Sequence, residues 1–452
     1  MYKKLIFIFF FGSVVISNAQ NIRMDFPHFA GKAYDFIIFQ GDNQKTIYQG
    51  VIPSDGKFTL TVPKEYTPYT GMSRWLITGT KEGGGLDMLI PGKDFSVSCK
   101  ETRPDEKNII YTGNIQIEEL NNLYQEQQKI LEQCYAMLQA LKTFQKTNEN
   151  YVVFEKEYQK QVKNYEKFQN TLQNNADYTT QFIRILNITQ GIGTQILDTE
   201  EKKARNIAQY IADDLDWQAL YTSGHWAEIV SSWISIHTQV LKDPSVFVND
   251  FAKISNKIKD SKLYIDFVGR TAYFLAQQGK DGLINAVAPL VITSGKITNY
   301  EGSLAVYTKG AVGTQAPNLI FTGQQGNKDA KILKSNDLAG TDYNKTLLMF
   351  YESGCGPCEN LLQEIPERYE SIKSKGVHII SISADEDEKI FKNKAKDFLW
   401  KDTYCDYEGF KGVNFKNYGI AGTPTVFLID RNGKILLRTA ILEEVLSHLK
   451  EN

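Results

Sequence analysis

Two cysteines three positions apart, Cys355 and Cys358, stand where an apolar β-rich run, Thr346-Leu347-Leu348-Met349-Phe350-Tyr351, gives way to a helix-like run beginning Glu359-Asn360-Leu361-Leu362. A cysteine at a helix N-terminus has its thiolate stabilised by unpaired backbone N–H groups and by the positive end of the helix dipole, which lowers its pKa and makes it the nucleophile. Cys355 holds that place. Cys358, one helical turn along, can attack a mixed disulfide and release the reduced substrate, which is the part of a resolving thiol. Gly356 and Pro357 shape the turn between them, and proline is tolerated there because a first helical turn has no N–H bond to lose. A structural zinc knuckle would need a second ligand pair at similar spacing. Cys99, Cys134 and Cys405 stand alone, and no histidine pair lies at metal spacing. The expected chemistry is thiol–disulfide exchange with both electrons held in the cysteine pair, so neither an organic cofactor nor a metal is expected.

About 65 residues further on, Tyr418-Gly419-Ile420-Ala421-Gly422-Thr423-Pro424 reads as a turn, Thr425 to Asp430 as a buried strand, and Arg431-Asn432-Gly433-Lys434 as a hairpin turn. Together with the lead-in segment Gly313 to Leu319, the two cysteines, and the strand Val377 to Ser383 ending at Asp385, this run resembles the thioredoxin-fold domain of TlpA/ResA-type thiol–disulfide oxidoreductases. The resemblance implies a cis peptide at Pro424 facing the cysteines, and a Thr423 backbone offered to an extended substrate segment. Thr423 and Pro424, with Gly356 and Pro357, are therefore the expected docking residues. Relatives carry a Glu and a Pro shortly after the second cysteine; Glu364-Ile365-Pro366 is similar but about one helical turn late, which makes Glu364 the candidate proton acceptor for Cys358. Two departures stand out. Gly354 replaces the tryptophan that many relatives place before the first cysteine, and the apolar Met349 stands where thioredoxin buries an aspartate.

Lys3-Lys4, the apolar run Leu5 to Ile16 and the small residues Ser17-Asn18-Ala19 have the layout of a cleaved signal peptide, expected over residues 1–19. The apolar run is shorter than the roughly 20 residues of a membrane span, and no later segment is long and apolar enough, so no membrane span is expected in the mature chain. A thioredoxin-like motif behind a signal peptide points to the periplasm. The formal charge of −2 becomes −4 without Lys3 and Lys4, which gives no electrostatic footprint for nucleic acid. Five cysteines in 452 residues are too few for a disulfide-stapled scaffold, and pairing of Cys99 with Cys134 stays open.

The elements in front of the redox motif have two textures. From residue 20 to 114, short β-rich runs alternate with turn signals such as Gly41-Asp42-Asn43 and Pro53-Ser54-Asp55-Gly56, the spacing of an all-β sandwich-like domain. This segment resembles the β-rich domain of unknown function that precedes such thioredoxin domains. Gly83-Gly84-Gly85 lacks the Lys-Ser/Thr continuation of a phosphate loop and reads as a hairpin tip. From 115 to 309 the apolar residues recur at three- and four-residue steps, first through Ile117, Leu120, Tyr124, Leu131, Cys134, Leu138 and Leu141, then through Phe154, Tyr158, Val162, Tyr165, Phe168 and Leu172. That is an all-α region opening with two long helices, with Cys134 in an apolar seam as an inert thiol. Cys405 is expected to be a buried, inert thiol as well. The acidic run Asp385-Glu386-Asp387-Glu388 reads as a helix start. An α/β thioredoxin fold then fills 310–452.

The function expected is a periplasmic disulfide reductase acting on disulfide-containing envelope proteins. In an oxidising compartment that direction requires a membrane electron donor to re-reduce the pair. Cytochrome c maturation is one job of TlpA/ResA-type relatives. Two alternatives remain: an envelope protein- or peptide-binding module with an accessory redox domain, and a thiol peroxidase of the AhpC/TSA type. The Pro and Thr that typical peroxiredoxins carry before a single peroxidatic cysteine are absent around Cys355.

Overall fold

A computed structural model describes residues 19–81, 83–321 and 331–451. The expected signal peptide, Ala19 apart, lies outside the described residues. A strand-rich N-terminal region, a helical middle and a C-terminal α/β region follow one another. By packing, the chain forms two compact units: one runs up to Asn187 and includes Gln218–Trp226, and the other combines Ile188–Trp217 with everything from Ala227 onward. The division at 114 and 309 is thus one of element type, and we keep it as a proposal for domain boundaries.

In the first unit, strands β1 (Gln20–Asp25), β2 (Ala33–Gln40), β3 (Asn43–Val51), β4 (Lys57–Val62), β5 (Thr70–Thr78), β6 (Gly85–Pro91), β7 (Phe95–Ser98) and β8 (Ile110–Thr112) form two four-stranded sheets. Their orders are β4-β1-β7-β8 and β3-β2-β5-β6. Residues at period two, Ile22 and Met24, Leu60 and Val62, Phe95 and Val97 from one sheet, and Phe36 and Ile38, Trp75 and Ile77, Met88 and Ile90 from the other, share a single core. The triple glycine falls at the β5–β6 connection, with Gly85 already in β6. Helices α1 (Ile115–Thr143), α2 (Tyr151–Gln173) and α3 (Tyr178–Thr189) follow. Gln127 of α1 exchanges hydrogen bonds with Asn187 at 2.7 and 3.0 Å and accepts one from Gln169 at 3.1 Å, so these three buried amides satisfy one another. Cys134 is buried in α1 and Cys99 behind β7; both are free thiols, and burial pushes the Cys134 thiol up.

The second unit contains α4 (Glu200–Asp213) and most of the helical region beyond α5 (Trp217–Tyr221), namely α6 (Trp226–Ser235), α7 (Pro244–Lys257), α8 (Ser261–Gln277) and α9 (Asp281–Thr293). Asp243 and Asp260 cap α7 and α8, each accepting two backbone N–H groups. Trp233, Phe247, Phe251 and Phe267 stack into the core of this layer. Then come β9 (Leu319–Phe321), β10 (Lys331–Leu333), β11 (Lys345–Tyr351), α10 (Gly356–Ser374), β12 (Val377–Ser383), α11 (Glu388–Ala395), β13 (Asp402–Cys405), α12 (Val413–Tyr418), β14 (Thr425–Asp430), β15 (Ile435–Thr439) and α13 (Leu442–Glu451). Five of these strands make one mixed sheet, β13-β12-β11-β14-β15, with β11, β12 and β13 parallel and β14 and β15 antiparallel. The unbroken apolar run of β11 is explained by its place at the centre. Leu347, Met349 and Tyr351 pack under α10 and α13, while Leu348 and Phe350 pack on the other face with Phe415 and Tyr418 of α12.

Helical and α/β parts of this unit are joined by a buried ion pair. Arg438 of β15 and Asp281 of α9 are 1% and 2% exposed and 2.6 Å apart. The guanidinium also donates to the carbonyls of Lys309 and Gly419, at 3.2 and 3.0 Å, and lies over the Phe427 ring.

Candidate active site

Strand β11 ends at Tyr351, and four residues carry the chain to the start of α10. Gly354 takes a φ of +79°, in the left-handed region that glycine adopts without strain. A tryptophan held in this backbone conformation would be strained. Cys355 is the N-cap of α10 and Pro357 lies in its first turn, so the first cysteine faces unpaired helix N–H groups. Cys355 is partly exposed; Cys358 is fully buried among Leu361, Leu362 and Ile365. The sulfurs are 2.8 Å apart with both thiols free. Burial, reinforced by the hydrogen bond to Cys355, pushes the Cys358 thiol up to about 12.

Facing the pair is the turn before β14. The Thr423-Pro424 peptide is cis, and the Cys355 thiol lies 3.6 Å from the Thr423 carbonyl. Gly356 and Pro357 are exposed at the rim. The structure thus brings Cys355, Cys358, Gly356, Pro357, Thr423 and Pro424 to one place.

Glu364 is not brought there. It is exposed on α10, six residues past Cys358, and at 3.6 residues per turn this sets it about 120° around the helix from the buried thiol. The carboxylates close to the motif are others. Glu359 accepts from the Gly354 N–H at 2.9 Å and pairs with Lys394 at 2.6 Å; Lys394, then that N–H, hold its carboxyl below the usual range. Asp385 is 5% exposed and clamps Ser353, accepting from its N–H at 2.9 Å and its hydroxyl at 2.6 Å. In the acidic run it is Asp387 that caps α11, while Asp385 braces the loop carrying Cys355. No local signal distinguished the two, since the partner of Asp385 sits on a different strand end. Cys405 donates to the Asp385 carbonyl at 3.0 Å, and burial pushes its thiol up to about 11. Among the described residues, no group of three or more His, Cys, Asp or Glu is placed to hold a metal ion.

An accessible thiol at a helix N-terminus, a buried thiol within bonding reach and a facing cis-proline turn, carried on a thioredoxin-like α/β sheet, define a thiol–disulfide oxidoreductase. Sequence similarity agrees with that class. The AhpC/TSA family model matches residues 312–438. Thiol-disulfide oxidoreductase ResA of Bacillus cereus is 34% identical over 159 residues, 35% of this chain and 87% of that protein. Human nucleoredoxin is 28% identical over 126 residues, 27% of this chain and 28% of its own. Among solved structures, a thiol-disulfide oxidoreductase from Bacteroides fragilis is 26% identical, with 30% of this chain and 98% of that one covered and a TM-score of 0.26. Through its C-terminal third the chain belongs to the ResA family of thiol–disulfide oxidoreductases. The family match does not reach the residues before 312.

Proposed function

We propose that the protein reduces disulfides of extracytoplasmic proteins, with Cys355 as the attacking thiol and Cys358 as the resolving thiol. The observation that carries this reading is the asymmetry of the pair: Cys355 is reachable and Cys358 is sealed 2.8 Å behind it. The Cys355 sulfur attacks one sulfur of the substrate disulfide, and the other leaves as a thiol. Cys358 loses its proton, attacks Cys355 and expels the second substrate thiol. Two electrons and two protons pass to the substrate, and a Cys355–Cys358 disulfide remains. Burial keeps Cys358 protonated until the mixed disulfide forms beside it, which suits a resolving group. Thr423 and Pro424 offer the docking edge.

The signal-like segment Lys3 to Ala19 supports export, and among the described residues no helix is long and apolar enough to cross a membrane. Periplasmic location, envelope clients and a membrane electron donor form one consistent reading, because an oxidising compartment would otherwise leave the pair as a disulfide. The test is the reduction potential of the pair, measured on the full chain in defined thiol buffers by counting alkylated cysteines. A value near roughly −250 mV or below supports a reductase. A value near roughly −120 mV would make the protein an oxidant, and a pair that forms no disulfide would overturn the redox reading. The AhpC/TSA family match also admits a peroxidase; peroxide consumption that depends on Cys355, with a small thiol as sole reductant, would favour it.

A further inference from the structure

The cleft that opens on Cys355 is walled by more than the thioredoxin fold. It has a volume of about 850 Å³ and is lined by Cys355, Thr423 and Phe410 of the redox fold together with Tyr273, Gln277 and Glu301 of the helical region. Tyr273 and Gln277 belong to the last turns of α8, and Glu301 precedes the 3-10 turn Gly302–Tyr307. All six residues lie within the same compact unit.

This second wall is held close to the docking turn. A Cβ placed on Gly422 would stand 3.8 Å from the Ala276 Cβ, and one on Gly419 would stand 2.9 Å from the Ala305 carbonyl oxygen, so the turn leading to Pro424 runs directly against the end of α8 and the 3-10 turn. The Asp281–Arg438 pair and the Arg438 bonds to Lys309 and Gly419 lock the same junction. The wall presents an aromatic surface. Tyr273 is 37% exposed, and Phe410, which lines the same cleft, is 41% exposed. Exposed aromatic rings beside a reactive group are contact surfaces, and they favour aromatic partners. A small disulfide needs none of this space, whereas volumes of roughly 300–1,000 Å³ enclose ligands that bring many atoms with them.

Resting on the reductase reading above, we propose that α8 and the 3-10 turn form the second wall of the substrate site. Its occupant is an extended polypeptide segment whose reacting cysteine is flanked by an aromatic residue. That segment runs along the Thr423 backbone, its aromatic side chain lies on Tyr273 and Phe410, and its disulfide meets the Cys355 sulfur. Client choice is then set by the helical region as well as by the redox domain.

Single-turnover rates of the pre-reduced full chain test this without any external reductant. Two disulfide-linked peptides are compared, identical except for Phe or Ala before the cysteine, and 2-hydroxyethyl disulfide normalises each variant for thiol reactivity. The wild type is expected to prefer the Phe peptide by about tenfold. In Tyr273→Ala the preference falls to near parity, and Tyr273→Phe restores it. Equal rates for the two peptides in the wild type, or an undiminished preference in Tyr273→Ala, overturn the proposal. If the reduced wild type leaves even 2-hydroxyethyl disulfide intact, the reductase reading itself has failed and this inference with it.

Discussion

Replacing Asp281 with alanine should destabilise the redox unit although the residue belongs to a helix well before the catalytic motif in sequence. Its carboxylate is 2.6 Å from Arg438 and both side chains are essentially sealed from water. Deleting one member of such a pair strands a charge in the interior and typically costs about 3–5 kcal/mol. Arg438 would keep its bonds to the Lys309 and Gly419 carbonyls, so the lower end, about 3 kcal/mol, is expected. For a unit of about 250 residues, about 2–4 °C is lost per kcal/mol, which gives a fall in Tm of about 6–12 °C. Calorimetry on the full chain, following the transition that carries the dithiol unit, reads this directly. The double variant Asp281→Leu with Arg438→Met removes both charges together and should recover at least half of the loss. A single-variant shift below about 2 °C, or a double variant worse than the single one, would refute the reasoning. The same pair forecasts that a fragment beginning at Gly313 is unstable, because it keeps Arg438 and discards Asp281. Lost activity in that fragment would therefore say nothing about a lost client-binding module.

Alkylation of the native, reduced protein at pH 8 should label Cys355 alone in the fast phase, since the other four thiols are buried; mass mapping that finds Cys358 or Cys405 first would contradict the site geometry. Cys358 labelling should then accelerate by about tenfold per pH unit, without a plateau below about pH 12. Because folding raises this thiol above its unfolded value of about 8.5–9, its contribution to stability is complete below that value and is lost as pH rises toward 12. The reduced form should accordingly lose denaturation free energy through that window faster than the disulfide form, in which Cys358 has no proton to lose. Asp385→Ala should cost about 1.5–3 kcal/mol in urea unfolding, because the Ser353 N–H and hydroxyl lose a charged acceptor; it should also change the Cys355 alkylation rate, which a purely remote structural role would leave alone. Glu364→Gln should leave the titration of both thiols unchanged, as its exposed place on α10 implies; a shifted Cys358 titration would restore it as a proton acceptor.

Much of the chemistry was legible along the chain because it is local. A strand–turn–helix with cysteines at both ends of its first helical turn places one thiol at the dipole and turns the other inward, whatever the remainder of the fold does. The hairpin after Asp430 and the three- and four-residue apolar steps of α1 and α2 were likewise carried by neighbouring residues, whereas the cis peptide at Pro424 was implied only by the family resemblance. The spacing of short β-rich runs and turn signals over residues 20–114 also foretold a sandwich-like domain. What the sequence could not decide was which distant groups meet. Glu364 matched a family pattern one turn late, and its place six residues past Cys358 sets it on another face of α10, out in solvent. Asp385 looked like one more acid in a capping run until β12 delivered it to Ser353, 32 residues away.

Asp281, Tyr273 and Gln277 carried no signal toward the redox motif, because nothing in a helix's own periodicity says which sheet edge it will lean on. The sequence by itself determined the class of enzyme and the strand–turn–helix that carries Cys355 and Cys358, through short-range backbone and dipole effects. Tertiary packing alone decided the second wall of the cleft, the ion pair that holds it and the carboxylate that braces the loop, since burial and pairing are properties of residues brought together from far apart.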